Sequence, residues 1–201
     1  MYFNEDGNFQ VSREEILQLF GRAFAKTLER DAVLFGMRNQ VQERCLMHRF
    51  ACELRALLKF AEDFRWKGQP VMSLDVEYNR AGEELKTPKG VEQDWIAVDI
   101  LFHERKSAER DCRNDILCCE MKKTGEEEGA DRRKVLRIMQ QYKYQFGIDF
   151  FRFSRRPYLF EFFEASARGI ISRGIYGYNG LAQSFRYERA GKPIPPDFQA
   201  F

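Results

Sequence analysis

Apolar residues recur at helical spacing in two segments near the N-terminus. Ser12 followed three residues later by Glu15 has the pattern of a capping box, and the apolar residues after it predict a helix that ends near Arg30. A second apolar stripe predicts a helix over about residues 40–61, with Glu43 in its first turn. Two helices therefore precede the first strand signals.

Shorter apolar runs follow, and they predict a mixed α/β fold. A polar link between the second and third strands favours an antiparallel pair. After residue 166 the chain is rich in Gly, Tyr and Arg, which indicates an irregular tail over 166–201. The order is two helices, three strands, a helix and one or two further strands, so we expect one domain, 1–201, with helices flanking a mixed sheet. The predicted strands are 71–79, 95–104, 115–122, 147–153 and 158–165, and the helix among them runs from Asp131 to about Phe146.

The composition is typical of a globular protein. Hydrophobic residues make up 44% and charged residues 32% of the 201 positions, and no apolar stretch approaches the roughly 20 residues of a membrane helix. A net charge of +2 argues against a strongly basic nucleic-acid binder but allows a local basic groove. Residues 1–6 lack the pattern of a secretory signal. Five cysteines without a C-x-x-C pair favour reduced, buried thiols and a cytoplasmic location.

Two carboxylates and a lysine lie on two neighbouring predicted strands. Glu120 and Lys122 are two residues apart, so on a strand they point to the same face. Asp99 interrupts the apolar run of the preceding strand, and it can meet Glu120 if the two strands pair. Paired carboxylates suit Mg²⁺ or Mn²⁺, and a nearby lysine can activate water or stabilise phosphate charge. The residues alone leave open a second interpretation, in which these charges are only the solvated end of a core strand.

The segments VDILFHE (98–104) and NDILCCEMKK (114–123) together resemble the D-(x)n-E-x-K signature of the PD-(D/E)xK nuclease superfamily. That family has the restriction-endonuclease-like core, α-β-β-β-α-β, which would occupy about residues 40–165 here. The resemblance implies that Asp99 and Glu120 are metal ligands, with the backbone carbonyl of Met121 as a further ligand. It implies that Lys122 is the catalytic lysine.

The resemblance extends to residues outside these two strands. Glu43 fits the glutamate that many members carry on the helix before the sheet, where it would support the metal or water shell. Gln140 and Tyr144 are similar to the Q-x-x-x-Y motif of the RecB-like branch. Glu77 would be an outer ligand or a residue that orients Lys122, or else an exposed strand carboxylate.

Basic residues near the signature are candidates for contacts with substrate. Arg133 and Arg137 share a face of the helix that begins at Asp131, and they could bind phosphates. A solvated outer face, with Glu126, Glu127 and Glu128 nearby to compensate the charge, also explains the pair. Lys123 is expected either to flank a phosphate or to lie in solvent.

The resemblance implies a Mg²⁺- or Mn²⁺-dependent nuclease that hydrolyses phosphodiester bonds, of DNA rather than RNA. A first alternative is a catalytically silent module of the same fold that binds nucleic acid or a partner protein. A second is a metal-dependent hydrolase of small nucleotides. A homodimeric assembly is also left open.

Overall fold

A computed structural model describes residues 1–36, 43–66, 68–78, 80–81, 84–85, 98–104, 114–122, 129–154 and 156–198. Its helices are α1 (Arg13–Arg30), α2 (Ala32–Gly36), α3 (Glu43–Asp63) and α4 (Ala130–Tyr142), and a 3-10 helix spans Pro196–Phe198. Its strands are β1 (Tyr2–Phe3), β2 (Phe9–Gln10), β3 (Arg65–Trp66), β4 (Gln69–Pro70), β5 (Met72–Tyr78), β6 (Arg80–Ala81), β7 (Glu84–Leu85), β8 (Val98–Glu104), β9 (Leu117–Met121), β10 (Phe146–Arg152), β11 (Leu159–Ser166), β12 (Gly169–Asn179) and β13 (Ser184–Arg189).

Seven strands form one mixed sheet, in the order β13-β12-β11-β10-β9-β8-β5. Neighbouring strands are antiparallel except β9 and β10, which run parallel and are connected through α4. A parallel pair requires a crossover of this kind, because a tight hairpin reverses the chain. The mixed α/β class and the predicted order of one helix, three strands, a helix and a strand are therefore confirmed over α3, β5, β8, β9, α4 and β10.

Helices cover both faces of this sheet. On one face, α1 and α3 pack against each other and against the sheet, with Phe20, Phe24 and Phe50 fully buried among sheet aromatics such as Phe150 and Phe160. On the other face, α4 packs on β9 and β10 through buried apolar residues, which are Val135, Leu136, Ile138 and Met139. Central strands covered on both faces carry long apolar runs, so a charged residue within β8, β9 or β10 stands out.

Local signals account for the helix ends. The predicted capping box is present, because the Ser12 hydroxyl accepts from the Glu15 amide at 3.2 Å and the Glu15 carboxylate accepts from the Ser12 amide at 2.8 Å. The fourth helix ends at Tyr142, about a turn before the predicted end, because Lys143 adopts a left-handed conformation with φ of 61°. That conformation ends α-helical hydrogen bonding.

The prediction of an irregular tail over 166–201 is wrong as far as Arg189. Residues 169–179 and 184–189 form β12 and β13, which extend the sheet beyond β11 and add Ile175 and Phe185 to its core. The strand β12 is bulged opposite Phe162 and Phe163. Gly174 lies at the bulge with φ of 117°, a conformation that only glycine adopts without strain. The alternation of apolar and polar residues is interrupted along β12, so sequence analysis did not predict this strand.

The cysteines divide into two groups. Cys118 and Cys119 are fully buried on β9, as predicted, whereas Cys45 and Cys52 are exposed on α3, so the prediction of burial is wrong for them. Their spacing of seven residues does place them on one helix face, but it is the face away from the sheet. Cys112 lies outside the described residues. Within the described residues, no helix is both long and apolar enough to cross a membrane.

Candidate functional site

At one end of β8 and β9 the backbone pairing stops, and side-chain carboxylates accept hydrogen bonds from the backbone amides there. The last backbone pair is Ile100 with Cys119. Beyond it, the Met121 amide donates to Asp99 Oδ2 at 2.8 Å, and the Asp99 amide donates to Glu120 Oε1 at 3.3 Å. The structure therefore brings Asp99 and Glu120 together, as their predicted strand pairing required.

The lysine of the E-x-K segment lies at the same strand end. Lys122 Nζ is 3.4 Å from Glu43 Oε1, and the exposed fractions of the two side chains are 47% and 33%. Glu43 is the first residue of α3, so this contact joins the helix start to the end of β9. The charge of Glu43 is the largest cause that raises the pKa of Lys122, which keeps the ammonium protonated near neutral pH.

A second lysine, Lys134 on α4, reaches the carboxylate pair. Its Nζ lies 2.8 Å from Glu120 Oε1, where the Glu120 side chain is 4% exposed and that of Lys134 is 26% exposed. Burial, followed by the charge of Asp99, raises the pKa of Glu120 well above its ordinary value, and Lys134 opposes that rise. Burial also raises the pKa of Asp99, against the hydrogen bond from the Met121 amide. Both carboxylates would hold their negative charge more readily beside an added cation.

The carboxylates continue across the sheet as an acidic row, which we define as Asp99, Glu120, Asp149 and Glu161. Asp149 on β10 is aligned with Glu120 on β9 and with Glu161 on β11. Asp149 is fully buried, and neither of its carboxylate oxygens has a hydrogen-bond partner among the described residues. Burial, then the charges of Asp131 and Glu161, raises the pKa of Asp149 to about 8, and Arg132 opposes this rise.

Glu161, at the far end of the row, is held by a buried arginine. Arg132 Nε donates to Glu161 Oε2 at 2.7 Å and its Nη2 donates to Oε1 at 3.2 Å. The Ser172 hydroxyl donates to the same Oε1 at 2.6 Å. Arg132 Nη2 also donates at 2.9 Å to the carbonyl of Lys192, in the C-terminal segment. The hydrogen bonds of Arg132 and Glu161 are thus made within the protein, which indicates that the pair stabilises the fold.

Other residues of the predicted site are placed elsewhere. Gln140 Nε2 donates to the carbonyl of Asp197 at 3.0 Å, in the C-terminal segment. Tyr144 is fully buried, with its ring centroid 6.5 Å from that of His103, at the opposite end of β8 from Asp99. The structure therefore does not bring Gln140 and Tyr144 to Asp99 and Glu120.

The remaining candidates lie around the strand ends. Met121 contributes the amide that Asp99 accepts, and its side chain is buried in the core. The backbone of Glu77 lies opposite Asp99, because the residues on either side of it, Val76 and Tyr78, pair with Ile100 and Val98. Lys123 lies outside the described residues. Both substrate-binding candidates on α4, Arg133 and Arg137, are exposed.

The donor atoms suit a hard divalent cation, but they are not assembled around one point. Asp99 and Glu120 supply carboxylate oxygens, which Mg²⁺ and Mn²⁺ prefer. In the part of the chain that the structure describes, no three His, Cys, Asp or Glu side chains form a group that could hold a metal ion. The ammonium of Lys134 occupies Glu120 Oε1, the position where a cation would approach. Asp99 and Glu120 therefore suit such an ion by the chemistry of their oxygens, but their arrangement in the structure does not by itself form a metal site.

Sequence analysis missed Asp149, Lys134 and the pair of Arg132 with Glu161. The sequence did contain a signal for the two carboxylates, since Asp149 and Glu161 each interrupt a run of aromatic and aliphatic residues on a strand. A carboxylate at such a position is rarely buried without a partner. The two basic residues carried no comparable signal, because they belong to a helix whose basic residues are partly exposed and partly buried.

No family model matches the chain, and no curated protein or solved structure matches it either.

Proposed function

We propose that the chain is a Mg²⁺- or Mn²⁺-dependent nuclease that hydrolyses phosphodiester bonds, with DNA as its substrate. The observation that carries this proposal is the meeting of Asp99 and Glu120 where β8 and β9 stop pairing. Lys122 follows Glu120 at the spacing of the E-x-K signature. The sheet order β5-β8-β9-β10, with α4 joining the parallel pair, supports a restriction-endonuclease-like core.

Each residue has a proposed role. Asp99, Glu120 and the carbonyl of Met121 would hold the cation, which when bound supplies Lewis-acid stabilisation and lowers the pKa of a bound water. Lys122 orients the attacking water and stabilises charge on the phosphate. Its raised pKa favours this role as a donor over that of a proton acceptor. Glu43 positions Lys122 through their contact at 3.4 Å.

We propose that the exposed arginines of α4 contact the phosphate backbone of the substrate. Arg133 and Arg137 lie on the helix whose Lys134 contacts Glu120, so a phosphate backbone at the site could run along that helix. Such contacts position nucleic acid without reading its sequence. They would make binding fall as the salt concentration rises.

The experiment is incubation of the purified chain with double- and single-stranded DNA and with RNA, in Mg²⁺, in Mn²⁺ and in chelator. Metal-dependent cleavage should fall by about 10²-fold or more in Lys122→Ala and in Asp99→Asn. Lys59→Ala is the matched control, because Lys59 is also an exposed lysine paired with a carboxylate, Asp63 at 2.9 Å. Full activity in Lys122→Ala or Asp99→Asn would refute the proposal.

A catalytically silent module of the same fold is the second candidate. It is favoured by the two lysines, since Lys134 contacts Glu120 and Lys122 contacts Glu43, so that each lysine neutralises a carboxylate. This candidate predicts binding of nucleic acid or a protein without metal and without turnover. Binding unaffected by chelator, together with no cleavage of any polymer, would select it.

A further inference from the structure

The strand β13 lies at one edge of the seven-stranded sheet. It pairs with β12 on one side, and among the described residues no strand lies on its other side. Residues 186–189 of this strand are all exposed, and Tyr187 is 58% exposed. An edge strand presents backbone N–H and C=O groups that can pair with a strand of another chain. The outer side of β13 is therefore a candidate surface for association.

The opposite edge of the sheet, at β5, is closed by side chains. The Leu74 amide donates to Glu62 Oε1 at 3.0 Å, and the Leu74 carbonyl accepts from the Arg55 guanidinium. Both side chains come from α3, and residues 72–75 of β5 are buried. These bonds occupy backbone groups that an added strand would need. The two edges therefore differ, and β13 is the edge with exposed residues.

The exposed residues of β13 alternate in charge and in the face they occupy. Arg186 is aligned with Gly177 of β12, and the Glu188 carboxylate lies over the same glycine, since Glu188 Oε1 is 2.6 Å from the place of a Cβ at Gly177. Arg186 and Glu188 therefore share one face of the sheet. Tyr187 lies on the other face, where its ring centroid is 6.0 Å from that of Tyr176.

Charges and bulges on an edge strand often prevent pairing with another chain. The strand β13 has both, because Tyr187 and Arg189 pair with consecutive residues of β12, so that Glu188 between them has no pairing partner there. Charges of one sign would repel a second copy of the strand. Opposite charges two residues apart, as in Arg186 and Glu188, are instead complementary to themselves when two copies run antiparallel.

The charges also select one register. Two copies related by a two-fold axis perpendicular to the sheet pair only in registers that bring residues of the same face together. With the axis at Tyr187, Arg186 of each copy lies opposite Glu188 of the other. With the axis one residue earlier or later, Arg186 lies opposite Arg186 or Glu188 opposite Glu188. Opposite charges across an antiparallel pair stabilise it and like charges destabilise it, so the axis at Tyr187 is favoured.

We propose that the chain forms a homodimer in which the β13 strands of two copies pair antiparallel about Tyr187 and join the two sheets. Backbone hydrogen bonds along the strands would provide the affinity, and the pairs of Arg186 with Glu188 the register. The exposed Glu188 side chain can turn from Gly177 to the second copy, because exposed side chains change rotamer within nanoseconds. One strand pair is a small interface, so we expect a dissociation constant of about 1–100 µM. This inference does not depend on the proposed nuclease activity.

The test is sedimentation equilibrium of the full chain over a concentration range of about 1–200 µM. Wild type is compared with Arg186→Glu, with Glu188→Arg and with the variant that carries both changes. Each single reversal sets like charges opposite each other twice in the dimer, so it should raise the dissociation constant by about tenfold or more. The double variant restores opposite charges across the axis and should dimerise as wild type does.

Two further samples sharpen this test. An equimolar mixture of the two single variants should dimerise, because each copy then supplies the charges that the other lacks. Arg168→Glu is the matched control, since Arg168 is an exposed arginine between β11 and β12 and its reversal should leave the dimer unchanged.

Each outcome decides for or against pairing through β13. A wild-type chain that stays monomeric over the whole range would overturn the inference. A dimer that persists in both single variants would also overturn it, because another surface would then hold the two copies together. Single variants that are monomeric alone, with a dimeric double variant, would support it, whereas a monomeric double variant would reject the register about Tyr187.

Hydrogen exchange of the wild-type chain tests the same edge without any substitution. Amides of residues 185–189 should exchange more slowly at high than at low protein concentration, because pairing protects them from solvent. Amides of α3, on a helix away from this edge, should exchange equally at both concentrations. Unchanged exchange of residues 185–189 in a sample that contains dimer would refute the inference.

Discussion

Replacing Arg132 with methionine should destabilise the protein strongly without touching the proposed catalytic residues. Arg132 is 4% exposed and Glu161 is fully buried, and the two side chains form a bidentate ion pair. The guanidinium carbon also lies 5.5 Å from the ring centroid of Phe163. Methionine keeps much of the apolar volume of the arginine, so the substitution mainly removes the charge and the hydrogen bonds.

The expected cost follows from what the substitution leaves behind. Glu161 would retain only the hydroxyl of Ser172 at 2.6 Å, and the carbonyl of Lys192 would lose the donor it has at 2.9 Å. Removing one partner of a buried ion pair costs about 3–5 kcal/mol, because an uncompensated charge stays buried. For a domain of this size, that loss corresponds to a fall in melting temperature of about 6–20 °C.

The assay is urea denaturation at neutral pH, with the slope m checked for constancy. Arg133→Met is the matched control, since Arg133 is the exposed neighbour on α4 and its loss should change the free energy of unfolding by about 0.5 kcal/mol or less. Adding Glu161→Gln to Arg132→Met should recover part of the loss, because no unpaired charge then remains. A cost for Arg132→Met below about 1 kcal/mol, or equal to that of Arg133→Met, would refute the reasoning.

Two further predictions follow from packing and exposure. Gly147→Ala should lower the free energy of unfolding by about 1–3 kcal/mol, because the new methyl group would lie 2.7 Å from Val135 Cγ1. Gly180→Ala is the control and should change the free energy of unfolding little, since the nearest neighbour of its new methyl group would be 3.9 Å away. Equal urea midpoints for the two variants would contradict the prediction for Gly147. Maleimide labelling of the native chain, mapped by mass spectrometry, should modify the exposed Cys45 and Cys52 promptly and the buried Cys118 and Cys119 only on unfolding. Native labelling of the β9 thiols would show that the sheet is not packed as described.

Patterns that depend on neighbours along the chain were predictable. The capping box of Ser12 and Glu15, the apolar stripe of α4 and the apolar runs of β8 and β9 are local patterns. Each predicted its element, although α4 ends about a turn early. The meeting of Asp99 and Glu120 was predictable for the same reason, since it needed only two strands that pair in sequence order. The strands β12 and β13 were missed because glycines and charges interrupt their alternation. They are ordered by tertiary pairing, β12 with β11 and β13 with β12.

The continuation of the acidic row to Asp149 and Glu161 could not be predicted from the sequence, because these residues join Glu120 only through the pairing of β9, β10 and β11. Asp149 lies beside Glu120 because β10 runs parallel to β9 in one particular register, after a helical crossover. Lys134 and Arg132, two residues apart on α4, reach different strands because that helix lies across them. The sequence by itself determined the elements and the carboxylates they carry. Tertiary structure alone decided which carboxylates receive a counter-charge, since burial and opposite charge act through distances in space and not along the chain.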